Sequence, residues 1–401
     1  MPGLGGIWFG KQALLACLGL ELAQRIRQAR GRVSNVECAN AVEALGCWLG
    51  LSARGWSPEA RLRGSQKLKR DDPMEFARVR RRSFYVSQPM RMATTLALPA
   101  LGLAEGTQLR FNAYTLTDAG RDFIQAACNG YRPGKRDLLD YLQRWTEGRE
   151  DVDSGSLSRA LSPCEPLPRE GQAQLRDRLQ FGAAGEAAES RQRRRAALAW
   201  VERMRQQPAR ADWQAAPEGI LPEHWLDMKA GAALFAARDA ALALLDLLEL
   251  SVATAGRETW RIGNVSPAAN AAIEQLRDRS RGFLELKHGD PDAELFCRSC
   301  AQASDAAVIA FLVDRDGRVL RRRGDEIYPG FAFRRRTEAA DPTPAAEEPD
   351  AQAGPTPEAG SALQWPAQIS HRIHNIFLLN VDLHGQLSDW LARGANTEAP
   401  A

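Results

Sequence analysis

The sequence predicts a mainly α protein with a small α+β part, and three observations lead there. Apolar residues recur at helical spacing over long tracts at the start, in the middle and at the end of the chain. Strand-like alternation appears only in short pieces, chiefly between residues 255 and 338. Residues 339–362 are Ala, Pro, Glu, Asp, Thr and Gly with almost no large apolar group, and read as a disordered linker.

At 401 residues the chain is long for one core, so two or three domains are expected. A hydrophobic fraction of 44% and a charged fraction of 26% are ordinary for a globular protein. The net charge of +3 does not by itself declare a nucleic-acid binder. The 47 arginines against six lysines match the codon bias of a GC-rich bacterial genome, while Arg forks also suit phosphate. Local clustering has to separate the two. The apolar run from Ala13 to Leu22 is too short to span a bilayer. Seven cysteines, an odd number set among apolar neighbours, fit reduced thiols in a cytoplasm.

From the N-terminus, residues 12–30 and 36–53 predict two helices. Leu14, Leu15, Leu18, Leu22 and Ile26 form one stripe, and Cys38, Val42, Leu45 and Leu49 the other. Ser34 with Glu37 is a capping box, because serine can accept an orphan N–H while the glutamate reaches back to the cap. A helix near Pro73 carries Arg78, Arg80, Arg81 and Arg82, followed by Phe84-Tyr85 and Arg91. Gly106 to Arg110 forms a turn. Phe111-Asn112-Ala113-Tyr114-Thr115-Leu116 then reads as a strand entering a helix capped by Thr117, with Asp118 at the positive end of its dipole. This Tyr-x-Leu-Thr-x-x-Gly-Arg pattern over residues 111–124 resembles the strand-to-helix junction of winged-helix DNA-binding domains. The resemblance implies a wing at Gly106–Arg110 and places the Arg78–Arg82 cluster ahead of it. Residues 1–148, closing with a helix at 132–146, make up this helical and winged-helix-like domain.

Residues 149–190 predict an irregular connection with a short helix near Leu175, because Ser162-Pro163 and Glu165-Pro166 break regularity. A helical middle, 191–254, comprises an Arg-rich helix from Arg191 to Gln207 and a nearly all-apolar helix at 223–250. In the α+β unit at 255–338, Thr259–Ile262 predicts a strand and Pro267–Arg277 a helix. Ala307–Val313 and Arg318–Leu320 predict a hairpin about Asp316-Gly317. After the linker, residues 363–401 carry an amphipathic helix at about 367–392. Ile373, Phe377, Leu383, Leu387 and Trp390 are its candidate contacts, either on this chain or on a partner protein.

Little in the sequence points to catalysis. Cys297 and Cys300 form the lone C-x-x-C, with His288 upstream, and could supply half of a tetrahedral metal site, but no second pair accompanies them. His371, His374 and His384 read as helix-surface histidines. No phosphate loop and no cofactor motif is present, and the carboxylate pairs form no ordered nuclease set. The basic clusters remain. Arg78, Arg80, Arg81, Arg82 and Arg91, with Arg110 and Arg121 near the wing, are the expected phosphate contacts. The expected function is a non-enzymatic DNA-engaging or scaffolding subunit of a bacterial multi-protein complex, in a setting such as DNA maintenance or phage defence. The alternatives are a pure protein-interaction subunit with a structural wing, and a metal-dependent enzyme using His288, Cys297 and Cys300. No membrane partner is expected.

Overall fold

The computed structural model describes residues 4–82, 84–152, 155–254, 259–333, 354–355 and 361–397. These residues are mainly helical with two small antiparallel sheets, as the sequence pattern predicts. Helices α1 (Gly10–Gln28) and α2 (Asn35–Ala53) pack side by side and are buried over most of their length. The Ser34–Glu37 capping box forms as expected. Single turns α3 (Phe76–Val79), α4 (Arg91–Thr94) and α5 (Ala97–Ala100) follow, where one longer helix was expected from Pro73.

Strand β1 (Ala104–Glu105) pairs antiparallel with β2 (Thr115–Leu116), and β2 runs straight into α6 (Asp118–Cys128). Thr117 caps α6 by accepting the Gly120 N–H at 3.1 Å. Phe111–Ala113, expected as strand, is instead a 3-10 turn inside the β1–β2 loop. The glycine of the Thr-x-x-Gly pattern has a steric reason. A Cβ on Gly120 would lie 2.1 Å from the Leu103 carbonyl oxygen, which also accepts the Thr117 N–H, so only glycine lets β1 cross the first turn of α6.

Helix α7 (Leu138–Thr146) is capped by Asp137. The expected irregular connection at 149–190 is largely helical: α8 (Gly155–Leu161) and α9 (Arg169–Phe181) bury Leu157, Leu161, Leu175 and Leu179 against the preceding helices. Pro163 lies just past the end of α8 and Pro168 is the N-cap of α9, so the prolines bound these helices and do not prevent them. Helix α10 (Ala188–Gln206) precedes α11 (Pro222–Thr254), which at 33 residues is about 50 Å long.

Helix α11 runs from the first core to the second, past a small cluster in which its Ala230 and Ala237 meet Phe283, Ala293 and Cys297. Trp225, Met228 and Ala232 belong to the first, while Ala240, Leu244, Leu248 and Val252 belong to the second. The second core takes in β3 (Trp260–Arg261), α12 (Pro267–Glu285), α13 (Pro291–Cys300), α14 (Asp305–Asp316), β4 (Leu320–Arg323) and β5 (Glu326–Pro329), with sheet order β3-β5-β4. The expected hairpin about Asp316-Gly317 is corrected here. Ala307–Val313 is part of α14, which starts at a Ser304 cap and ends at Gly317 in the left-handed region. The hairpin is one step later, joining β4 to β5 through Gly324. A continuous apolar run carries no period, so it fits a buried helix as well as a strand.

The chain then returns to the first core through α15 (Ser370–Leu383) and α16 (Leu387–Thr397), two helices where one was expected. The second core is thus inserted between α11 and α15. Residues 339–353 and 356–360 of the expected linker lie outside the described residues. Gly354 and Pro355 are anchored: the Gly354 N–H donates to Asn375 Oδ1 at 2.9 Å, and the Pro355 carbonyl accepts from His374 Nε2.

Candidate functional site

Two of the stretches singled out in the sequence meet the first turn of α2: the Arg78–Arg82 stretch through Arg80, and the β1–β2 loop that carries Arg110. The Ser34–Glu37 capping box orients the Glu37 carboxylate outward, where it lies 3.7 Å from Arg80. Partial burial opposes its ionisation. Hydrogen bonds from the Ser34 N–H and hydroxyl, with Arg80 and Arg82 nearby, outweigh that and bring its carboxyl below the usual range. Glu37 therefore offsets part of the charge of Arg80 and Arg82 and holds Arg80 against α2.

The β1–β2 loop meets the same turn. Asn35 Nδ2 donates to the carbonyls of Phe111 at 3.0 Å and Tyr114 at 2.8 Å, and Asn112 Oδ1 accepts the Val36 N–H at 2.9 Å. Arg27 reaches Asn35 Oδ1 at 2.9 Å from the end of α1. Arg91 Nε donates to Asn40 Oδ1 at 2.7 Å, and its guanidinium lies 6.0 Å from the Phe111 ring. Behind it, burial raises the Glu43 carboxyl to about 7, against the opposing pull of Tyr85 and Arg91.

The predicted arginines thus fall into four groups. Arg81, Arg82 and Arg110 are exposed. Arg78 and Arg80 are committed in part, Arg78 to Asp72 at 3.0 Å and the Phe84 ring, Arg80 to Glu37 and the Phe76 ring. Arg91 is a structural strut between α2 and the loop. Arg121 stands apart: it bonds the Leu116 carbonyl at 3.0 Å and Asp118 at 2.7 Å, and lines a mixed-charge cleft with Glu21, Arg25 and Asp140. Sequence reasoning missed Arg27, Asn35, Asn40 and Asn112, which tie the shelf together. Their role depends on partners about 75 positions away for Asn35, and no local pattern marks it.

The other candidates are placed as follows. Cys297 and Cys300 are buried on α13, their thiols pushed up to about 11 and about 12 chiefly by burial. His288 Nε2 instead meets Asp227 Oδ1 at 2.9 Å. Among the described residues, no group of three or more His, Cys, Asp or Glu side chains could hold a metal ion, so His288, Cys297 and Cys300 are not assembled into a site. Of the two readings of the C-terminal face, the described residues show docking on this chain and not a face left free for a partner. Ile373, Phe377, Leu383 and Leu387 are buried in the chain's own first core, and Trp390 packs on Phe377 and His374. His374, expected on the surface, is buried between Trp365 Nε1 at 3.1 Å and the Pro355 carbonyl at 2.6 Å. Burial lowers its ring to about 4, so it is neutral, with the proton on Nε2 facing the carbonyl.

No described helix is long and apolar enough to cross a membrane. Comparison with protein-family models, with curated proteins and with solved structures finds no match.

Proposed function

We propose that the protein engages nucleic acid, in the first instance duplex DNA, as a non-enzymatic subunit of a larger assembly in a reducing compartment such as the bacterial cytoplasm. The contact surface is the arginine shelf around the first turn of α2. Arg81 and Arg82 neutralise phosphates, with Arg80 beside them and Arg110 on the β1–β2 loop. That loop plays the part of a wing, in keeping with the winged-helix resemblance of residues 111–124. The observation that carries the reading is the convergence of Arg80–Arg82 and the Arg110 loop on one helix turn, from stretches some 30 residues apart. Codon bias fills a surface with arginine but gives no reason for two separate stretches to be bonded to the same turn.

The test is fluorescence-anisotropy titration of the full chain with a short labelled duplex across a salt series. Each phosphate neutralised contributes roughly 0.9 to the slope of log K against log salt, so Arg81→Ala with Arg82→Ala should reduce that slope by about 2. Arg279→Ala, an exposed change in the second core, should leave it unaltered. Equal binding and equal slope in the double variant would remove the shelf as the contact surface.

A further inference from the structure

The first core carries a cleft of about 300 Å³, at the lower end of small-molecule pockets, formed where the Leu4–Gly6 segment, α4, α10, α11 and α15 meet. Its floor is apolar, built from Met92, Leu96, Met228, Ile373 and Ile376. Its charged groups are unevenly satisfied. At one end Asp227 is bound by both Arg193 and His288, and Arg193 also holds Glu189 at 2.7 Å. Both Asp227 carboxylate oxygens are thereby engaged. Burial lowers the neighbouring His224 to about 4, so its ring is neutral.

At the other end stands Arg372, whose guanidinium lies 4.7 Å from the centroid of the Phe235 ring. Arg238 lies at the same distance from that ring and is paired with Asp239 at 2.7 Å. Among the described residues no carboxylate lies within ion-pair distance of Arg372, and the charge it feels is that of Arg238. The root of Arg372 is fixed as well. A Cβ on Gly5 would lie 2.8 Å from Arg372 Cβ, and the Gly5 carbonyl is held by Asn375 Nδ2 at 2.7 Å, so glycine allows the N-terminal segment to close on α15. A cation stacked on a ring, rooted against backbone and facing an apolar floor is pre-organised for an anion.

We propose that this cleft binds an amphiphilic organic anion, its carboxylate or phosphate head on Arg372 beside Phe235 and its apolar body on the Met92–Met228–Ile376 floor. The proposal stands independently of the arginine shelf, which lies on different residues.

The test uses 1-anilinonaphthalene-8-sulfonate, an anionic apolar fluorophore, displaced from the full chain by octanoate, octyl phosphate or neutral 1-octanol. At least one of the two anions should displace it ten-fold more effectively than the alcohol, and which does so identifies the head group. Arg372→Gln should weaken the anions about ten-fold and leave octanol unchanged. Met92→Trp, at a side chain 45% exposed and so spared a folding penalty, should fill the cleft and abolish displaceable fluorescence. Circular dichroism and an unchanged unfolding midpoint establish that each variant is folded. Equal potency of alcohol and anions, or undiminished anion binding in both folded variants, would overturn the proposal.

Discussion

Asp382 ties the last quarter of the protein to its first helix, and replacing it tests whether that tie works as the geometry requires. Its carboxylate lies on α15, is buried, and accepts the Gly10 N–H at 2.8 Å, capping α1 from 372 positions away. Burial raises the carboxyl from 3.8 to about 6, against the opposing effects of the Gly10 N–H, Arg61 and Lys11. The folded state therefore holds this proton more tightly than the unfolded state. Between pH 4 and pH 6 the unfolded chain binds fewer protons, so the contribution of this group to stability falls as pH rises. The shift of about two pH units corresponds to about 3 kcal/mol. Asp382→Asn keeps an acceptor for Gly10 and removes the ionisation. It should match the parent near pH 4 and exceed it by up to about 3 kcal/mol above pH 7, read as the difference in urea-unfolding free energy. Taking the difference cancels Glu43, which acts in the same direction, and His374, which acts in the opposite one. Against Asp382→Asn, Asp382→Ala leaves the Gly10 N–H without its partner and should cost about 1–3 kcal/mol at every pH. A stability difference between Asp382→Asn and the parent that does not change with pH would refute the reasoning.

The other predictions concern the same core and the loop beside it. Lys11 is fully buried, donating to the carbonyls of Arg159 and Ala160, and burial lowers it from 10.5 to about 8. The unfolded chain binds the extra proton between those values, so the contribution of Lys11 to stability should rise by about 3 kcal/mol from pH 8 to pH 10.5, read as the difference from Lys11→Met, which cancels the buried thiols that act in the opposite direction. Gly120→Ala forces β1 off α6 and should cost about 1–3 kcal/mol in chemical unfolding. Deleting residues 363–401 strips Trp365, Ile373, Phe377 and Leu379 from the first core, and should yield a chain without a cooperative unfolding transition. Cys297 and Cys300 should resist a thiol reagent in the native protein and react on unfolding, as counted by Ellman absorbance.

What could be read from the sequence is what is encoded within a few residues. The α class, the Ser34 and Thr117 caps, the α1 and α2 stripes and the β3 strand each follow from spacing or from one side chain meeting a nearby N–H. The signals that end α14, Ser304 and Gly317, were present too, but a seven-residue apolar run masks its own period. Contacts across long stretches were decided by tertiary structure alone. The amphipathic C-terminal segment announced that it had to be buried, but hydrophobic burial has no direction, and only the fold shows that it seats on α1, α9 and α10. The same holds for Asp382 on Gly10, for Asn35 on the β1–β2 loop, and for Arg372 on Phe235. Each is a hydrogen bond or a charge-ring contact whose meaning depends on distance. Sequence fixes the chemistry of such a group, while its distance from a partner hundreds of positions away is set only when the cores pack.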